Sequence, residues 1–152
     1  MELSNLTKKY FKKEDWQDID KAESIKDLYI VASRIMNRVP EPRIQVCGPI
    51  STGGKGSINA NLEVFNNKIK ELQSEGFNVF DQMPFETPMH KMILKFMTKD
   101  KYMESILTDF YLPIFEGGYI SELHFLPDWK SSYGANWEHE QAERLGIKII
   151  YH

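Results

Sequence analysis

Two segments that lie far apart in the chain carry the residues best suited to chemistry. The first is GPISTGGKGS at 48–57, a loop rich in glycine and serine. The second is WKSSYGANWEHE at 129–140, in which a turn of small residues leads into a helical pattern that contains Glu138. Backbone N–H groups in such loops and at helix N-termini favour anions, most often phosphate. Together the two segments predict an anion site beside a carboxylate.

Each segment also has an interpretation that involves no ligand. Glu138 can be an ordinary glutamate near a helix N-terminus, where the helix dipole favours it. The glycine-rich loop can be a flexible turn. It is not a Walker A loop, because Gly54 stands where that motif requires lysine, and no G-x-G-x-x-G opens the next helix. A ligand site is therefore predicted from the combination of the two segments and from neither alone.

Three further polar residues are candidates for the same site, and two histidines are not. Asp81 and Gln82 follow the second predicted strand, at the sheet edge where open α/β folds bind ligands. Asp109 lies in the apolar run ILTDFYLPIF, so it is either paired or faces solvent. His90 and His124 lack companion ligands, so we expect no metal and no cofactor.

The elements that must position these residues form a regular α/β pattern. Apolar runs of strand length occur at 43–47, 77–80, 119–126 and 147–151. Helices are predicted at 58–74, at 99–115 with an interruption near Pro113, and at 137–145 with Asn136 as the cap. This alternation predicts a doubly wound, mostly parallel sheet of four to five strands with helices on both faces. Its ligand crevice should collect the loops 48–57, 81–86 and 127–137.

Residues 1–42 are predicted to form an N-terminal helical extension, and residues 43–152 the main domain. Apolar residues recur at helical spacing between 21 and 38, and Pro40 and Pro42 end the pattern. An amphipathic helix must bury its apolar face, against either the domain or a second subunit. The sequence favours neither alternative.

Composition restricts the class of protein. The 152 residues, with 41% hydrophobic content, suffice for one domain with a core. A net charge of −3 without a basic stripe argues against binding of a nucleic-acid polymer. Cys47 is the sole cysteine, so neither an intrachain disulfide nor a cysteine cluster can form. With no apolar leader and no membrane span in the sequence, we expect a cytoplasmic protein that has no membrane partner.

Three features together resemble the nucleoside 2-deoxyribosyltransferase superfamily, which includes the 2′-deoxynucleoside 5′-monophosphate N-glycosidases. They are GPIS after the first strand, Asp109 on the helix before the third strand, and LPDW-x-S-S-x-G-A-x-x-E at 126–138. The last motif is similar to the LPGW-x-x-S-x-GA-x-x-E signature of a small phage and bacterial branch. The resemblance covers 43–152.

The resemblance implies a flavodoxin-like fold, usually a homodimer, that cleaves or exchanges N-glycosidic bonds without a metal. Glu138 would attack C1′ of the sugar, with Asp109 beside it. The 5′-phosphate would be held by Gly48, Ser51, Gly53, Gly54, Ser132 and Gly134, while Asp81, Gln82 and Trp129 would contact other parts of the substrate. A carboxylate suits this reaction, because glycosidic cleavage builds positive charge at C1′.

The sequence therefore predicts an N-glycosidase, or deoxyribosyltransferase, acting on a nucleoside or nucleoside 5′-monophosphate. At two places it differs from the pattern of active family members. Gln45 stands where they commonly have tyrosine, and Gly117 and Gly118 replace an acid. These differences support an alternative, a nucleotide-binding or sensor module of the same fold with little catalysis. A third alternative is an interaction domain that works through the helix at 21–38.

Overall fold

The computed structural model describes residues 2–96 and 99–152, in which helices surround a four-stranded parallel sheet. The strands are β1 (Arg43–Cys47), β2 (Asn78–Val79), β3 (Glu122–Phe125) and β4 (Lys148–Tyr151), in the order β2-β1-β3-β4. In register, Gln45 of β1 faces Leu123 of β3, which in turn faces Ile149 of β4. The predicted α/β doubly wound fold is confirmed.

The helices continue the alternation that the sequence predicts. They are α1 (Asn5–Tyr10), α2 (Lys13–Lys21), α3 (Ile25–Met36), α4 (Ile58–Ser74), α5 (Met83–Phe96), α6 (Lys99–Ile106), α7 (Leu112–Glu116) and α8 (Tyr133–Leu145). A π-helical turn, Leu107–Tyr111, joins α6 to α7, and a 3-10 turn, Trp129–Ser131, precedes α8. None of the helices in the described part of the chain is both long and apolar enough to cross a membrane.

Alternation along β1 divides the core into two layers. Ile44 and Val46 pack against α4, whose Phe65 and Ile69 are also buried. Cys47 belongs to the larger cluster on the opposite face, together with buried side chains of α3, α5, α7 and α8. Since successive strand residues point to opposite faces, Gln45 points to the α8 side, as Cys47 does. That face of β1 forms the floor of the site described below.

The N-terminal helices pack on the main domain. The buried side of α3 joins the large core cluster and contacts α5, α7 and the π-helical turn. On α1, the Thr7 hydroxyl donates a hydrogen bond to Asp81 Oδ2 over 2.9 Å, and Ser4 Oγ donates to Gln73 Oε1 over 2.6 Å. Of the two alternatives left open by the sequence, the structure shows burial of the apolar face against the domain.

Several predicted elements differ in their bounds from the structure. The interruption predicted near Pro113 occurs just before it, at the π-helical turn, and Pro113 itself lies in the first turn of α7, where its missing N–H costs least. The strand predicted at 77–80 is limited to Asn78–Val79. The strand predicted at 119–126 is shorter in the structure. Residues 119–121 precede it, and only Glu122–Phe125 pairs with β1. The short helices α1 and α2 and the longer helix α5 were not predicted.

Candidate functional site

A cavity of about 50 Å³ lies at the carboxyl end of β1. It is bounded by α5, by α6 with the π-helical turn, by α8 and by the loop that follows β1. Its polar lining includes side chains that the sequence analysis selected and others that it did not. The lining residues are Gly48, Ile50, Ser51, Phe65, Gln82, Glu86, His90, Met103, Ile106, Leu107, Tyr111, Ser132, Gly134, Ala135 and Glu138. The cavity is therefore at the sheet edge predicted for the ligand.

Ser132, and not Asn136, caps the helix that carries Glu138. The Ser132 hydroxyl oxygen accepts a hydrogen bond from the Ala135 N–H over 3.2 Å, so α8 begins at Tyr133. The predicted cap, Asn136, was wrong. Ser132 takes this role because its backbone is extended, as is typical of N-cap residues. Glu138 consequently lies in the second turn of α8.

The carboxyl group of Glu138 is buried and is held by two residues of β1. The side chain is 7% exposed, and its Oε2 accepts hydrogen bonds from Gln45 Nε2 over 2.9 Å and from the Cys47 thiol over 3.3 Å. Gln45 and Cys47 thus hold this glutamate from the floor of the site. Sequence reasoning selected neither Gln45 nor Cys47 as a contact of the carboxyl group.

The environment of Glu138 favours its neutral form. Its pKa is raised to about 8, chiefly because burial penalises the charged carboxylate, and the nearby charge of Glu86 acts in the same direction. The hydrogen bonds from Cys47 and Gln45 oppose these effects. Burial and the adjacent Glu138 also raise the pKa of the Cys47 thiol, which keeps it protonated as a donor.

Glu86 of α5 is a second buried carboxyl group in the same cavity. It is 3% exposed, its Oε1 accepts a hydrogen bond from the Tyr111 hydroxyl, and its Oε2 lies 3.2 Å from His90 Nε2. Burial and the charge of Glu86 raise the pKa of Tyr111 well above its usual value, so the phenol remains a donor. The sequence offered only the position of Glu86 in DQMPFE after the second strand, and the residue was not selected.

The two segments that the sequence singled out are in contact. The Gly54 N–H donates to Ser131 Oγ over 2.9 Å, and the Tyr133 N–H donates to Thr52 Oγ1 over 3.2 Å. Gly53 has a φ of +70°, and a Cβ there would lie 2.3 Å from the Ser131 carbonyl oxygen. Close approach of the two loops therefore depends on glycine at this position.

The predicted site residues fall into three groups. Gly48, Ser51, Gln82, Ser132, Gly134 and Glu138 all line the cavity. Gly53 and Gly54 shape the contact between the loops and are not in the described lining. At Gly48 a Cβ would meet Leu126 at 2.6 Å, so that glycine also lets the loop pack closely.

The remaining three predicted residues lie away from the cavity. Asp109 is partly exposed on the π-helical turn, whereas its neighbour Tyr111 reaches the cavity. Asp81 accepts hydrogen bonds from Thr7 and from the Met83 N–H, and so joins α1 to the start of α5. Trp129 stacks on His139, with ring centroids 4.4 Å apart.

Within residues 2–96 and 99–152, no group of three or more His, Cys, Asp or Glu side chains is arranged to hold a metal ion. The polar groups of the cavity are instead carboxyl, hydroxyl, amide and imidazole groups. Such a set can bind an uncharged or anionic organic molecule and can move protons.

Comparison with known proteins relates the chain to one family. No curated protein and no solved structure gives a significant match. A family model described as "Domain of unknown function (DUF4406)" matches residues 42–151, which extend from just before β1 to the last residue of β4. The match includes all of the cavity-lining residues and excludes α1, α2 and α3. The chain therefore belongs to the DUF4406 family.

Proposed function

We propose that the protein cleaves or transfers the N-glycosidic bond of a nucleoside 5′-monophosphate, with Glu138 as the nucleophile. The observation that carries the proposal is a buried carboxyl group, held by Gln45 and Cys47, in a cavity at the N-terminal end of α8. The motif at 126–138, which resembles the nucleoside 2-deoxyribosyltransferase superfamily, gives the reaction class. Hydrolysis is favoured over transfer, because the loop after β1 resembles a phosphate-binding loop.

The position of Glu138 suits attack on a sugar. Both of its hydrogen bonds reach Oε2, so we assign the attack on C1′ to Oε1. Positive charge develops at C1′ as the glycosidic bond breaks, and a nearby carboxylate stabilises this charge and then captures the carbon. In the resting cavity the raised pKa of Glu138 keeps the carboxyl largely protonated at pH 7. The proton must therefore leave Glu138 before it attacks.

Phosphate recognition is assigned to the N-terminal end of α8 and the loop that faces it. Ser132 caps this 13-residue helix, Gly134 lies in its first turn, and Ser51 of the facing loop lines the same cavity. Serine hydroxyl groups and the positive end of the helix dipole both favour a phosphate oxygen. Gly53 and Gly54 contribute by holding the two loops together.

The size of the cavity requires an opening step. Ligand pockets commonly measure roughly 300–1,000 Å³, and the cavity beside Glu138 measures about 50 Å³. Met103 and Ile106 of α6 are part of its lining. In our proposal α6 moves outward to admit the nucleotide and then returns, which excludes water from the reacting bond.

The proposal is tested by release of free base. The wild-type protein is incubated with ribo- and deoxyribonucleoside 5′-monophosphates of the common bases, and liberated base is measured by chromatography. We expect release from at least one nucleotide and a loss of about 100-fold or more in E138Q. The matched control is E140Q, which alters an exposed glutamate on the same helix. Absence of base release across the panel, or an unaffected E138Q, contradicts the proposal.

A second function, nucleotide binding without turnover, is favoured by one observation. The pKa of Glu138 near 8 leaves few carboxylates ionised at neutral pH, and a neutral carboxyl group is a poor nucleophile. Calorimetry that detects nucleotide binding, combined with no release of base over hours, supports this alternative.

The homodimer implied by the family resemblance is also part of the proposal. Light scattering on the purified protein tests it directly, since the masses of one chain, 17.8 kDa, and of two are readily distinguished.

A further inference from the structure

We propose that Glu86 is the second catalytic carboxyl group: it protonates the departing base while Glu138 attacks, and it later accepts a proton from the attacking water. This inference rests on the proposed function and names a further residue of the same site. It departs from the sequence analysis, which placed Asp109 beside the nucleophile.

The placement of Glu86 is the first argument. Glu86 and Glu138 project into one cavity from different helices, α5 and α8, and both are more than nine-tenths buried. Asp109 is partly exposed on the π-helical turn and is not in the described lining. A group that protonates the leaving base must reach the cavity, and of these two acids Glu86 does so.

The partners of Glu86 are the second argument. The Tyr111 hydroxyl binds one carboxyl oxygen, and His90 Nε2 lies 3.2 Å from the other. These contacts fix the orientation of the carboxyl group and offer a path for a proton between Glu86 and an imidazole. Glu138 faces the same cavity from α8, and the charge of Glu86 helps to raise the pKa of Glu138.

An unpartnered acceptor in the same cavity is the third argument, and it is independent of the acids. Gln82 is almost fully buried, and its Nε2 donates to the Val46 carbonyl oxygen over 2.7 Å. Within the described part of the chain its Oε1 has no hydrogen-bond partner. A buried acceptor of this kind costs free energy unless it is satisfied. It therefore indicates a ligand that carries an N–H or O–H group beside Gln82, the residue just before α5.

Before the reaction the shared proton passes from Glu138 to Glu86, so that Glu138 is the carboxylate and Glu86 the acid. Glu138 Oε1, as the carboxylate, forms a bond to C1′, the C1′–N bond breaks, and the nitrogen of the base takes its proton from the Glu86 carboxyl group. In hydrolysis, water attacks C1′, the Glu138–C1′ bond breaks, and the Glu86 carboxylate takes the proton released by the water. The products are free base and sugar 5-phosphate, and the two glutamates again hold one proton between them.

The test compares leaving groups that differ in their need for a proton. Guanosine 5′-monophosphate and its N7-methyl form are used, in ribo and deoxyribo forms. Methylation at N7 makes the guanine cationic, so that it departs without protonation. If the panel shows a preference for pyrimidines, uridine 5′-monophosphate and its 5-fluoro form replace the guanosine pair. We expect kcat/KM, which reports on departure of the base and not on the later attack of water, to fall in E86Q by about 100-fold or more on the unmodified nucleotide and by less than about 10-fold on the modified one.

Further variants keep the test decisive. E140Q is the matched control and should behave as the wild type on both substrates. Tyr111→Phe removes the hydroxyl donor to Glu86 and retains the ring, and it should reduce activity on the unmodified substrate selectively. Thermal unfolding verifies that each variant is folded, and Tyr111→Phe decides the question if E86Q does not fold.

Three outcomes would overturn the assignment. One is an equal loss on both substrates in the folded variants, and another is no loss in either. The third is selective loss in Asp109→Asn with none in E86Q. If the wild type releases base from neither substrate nor from any nucleotide of the panel, the proposed function itself fails, and this assignment fails with it.

Discussion

At the scale of the residue, Glu138 couples the chemistry of the cavity to the stability of the fold. Its carboxyl group is held by Gln45 and Cys47, neither of which carries a formal positive charge. Ionisation of Glu138 in the folded protein is therefore unfavourable, and its pKa of about 8 lies above the ordinary glutamate value of 4.5. Groups that are costly in this way are typical of sites adapted for binding or catalysis.

The first prediction concerns stability against pH. Because its pKa is raised on folding, Glu138 stays protonated in the folded chain between about pH 4.5 and 8 while it is ionised in the unfolded chain. The free energy of unfolding therefore falls as the pH rises through that range, by about 1.4 kcal/mol per pH unit. E138Q cannot ionise, so we expect a flatter profile and a gain of a few kcal/mol at pH 8.

Urea denaturation of the wild type, E138Q and E140Q at pH 5, 6.5 and 8 measures this effect. E140Q should follow the wild type, because Glu140 is exposed. Profiles of E138Q and the wild type that run parallel would show that Glu138 is ionised in the folded protein.

The second prediction concerns the rate of base release against pH. If the two cavity glutamates share one proton, kcat/KM for an unmodified nucleotide falls above about pH 8, as that proton is lost. For the N7-methyl nucleotide no acid is needed, so kcat/KM should not fall there. The titratable groups that face the pair are Cys47 from β1, His90 from α5 and Tyr111 from the π-helical turn. The same decline with both substrates would contradict a shared proton.

At the scale of the element, the helices and strands were far easier to predict than the details of the site. Periodicity in the sequence identifies β1 and α4 to the residue, because apolar side chains repeat along them at strand and helix spacing. The π-helical turn gives no such signal. Its wider winding orients Tyr111 toward the cavity and leaves Asp109 partly exposed.

The position of Glu86 in the cavity could not be predicted from the sequence either. The sequence places it after a strand but does not show that α5 brings it into the cavity with Glu138. That proximity arises from long-range packing of α5 and α8 around β1, between residues far apart in the chain. Local patterns carry no information on which of several acids will be buried together.

The third prediction separates two causes of strain in the loop after β1. Gly53 and Gly56 both have positive φ, +70° and +83°, but only at Gly53 does a Cβ meet the backbone of the neighbouring loop. Gly56→Ala should cost about 1–2 kcal/mol from the left-handed conformation alone. Gly53→Ala should cost more and should also weaken activity, since it separates the two loops that form one side of the cavity. Equal losses of stability in the two variants, measured by urea denaturation, would show that the loop contact contributes little.

At the scale of the whole molecule, the N-terminal helices are part of the architecture that supports the site. Asp81, at the start of α5, is bound by Thr7 of α1, and α3 packs on α5 and on the π-helical turn. Both elements that carry Glu86 and Tyr111 therefore rest on residues that the family match does not include. The family match accordingly includes the cavity but not α3, which packs against two of its walls, nor α1, whose Thr7 binds Asp81.

The fourth prediction tests this support with two isoleucines of one helix. Ile35 is 1% exposed and belongs to the large core cluster, whereas Ile30 is 56% exposed on the opposite side of α3. Ile35→Ala should lower the free energy of unfolding by about 2–5 kcal/mol, since it leaves a cavity in the core. Ile30→Ala should change it by about 0.5 kcal/mol or less. A single cooperative transition in urea, shifted in the first variant and unshifted in the second, is expected if α3 and the sheet unfold together. Separate transitions, or a small effect at Ile35, would instead show that the N-terminal helices are an independent appendage.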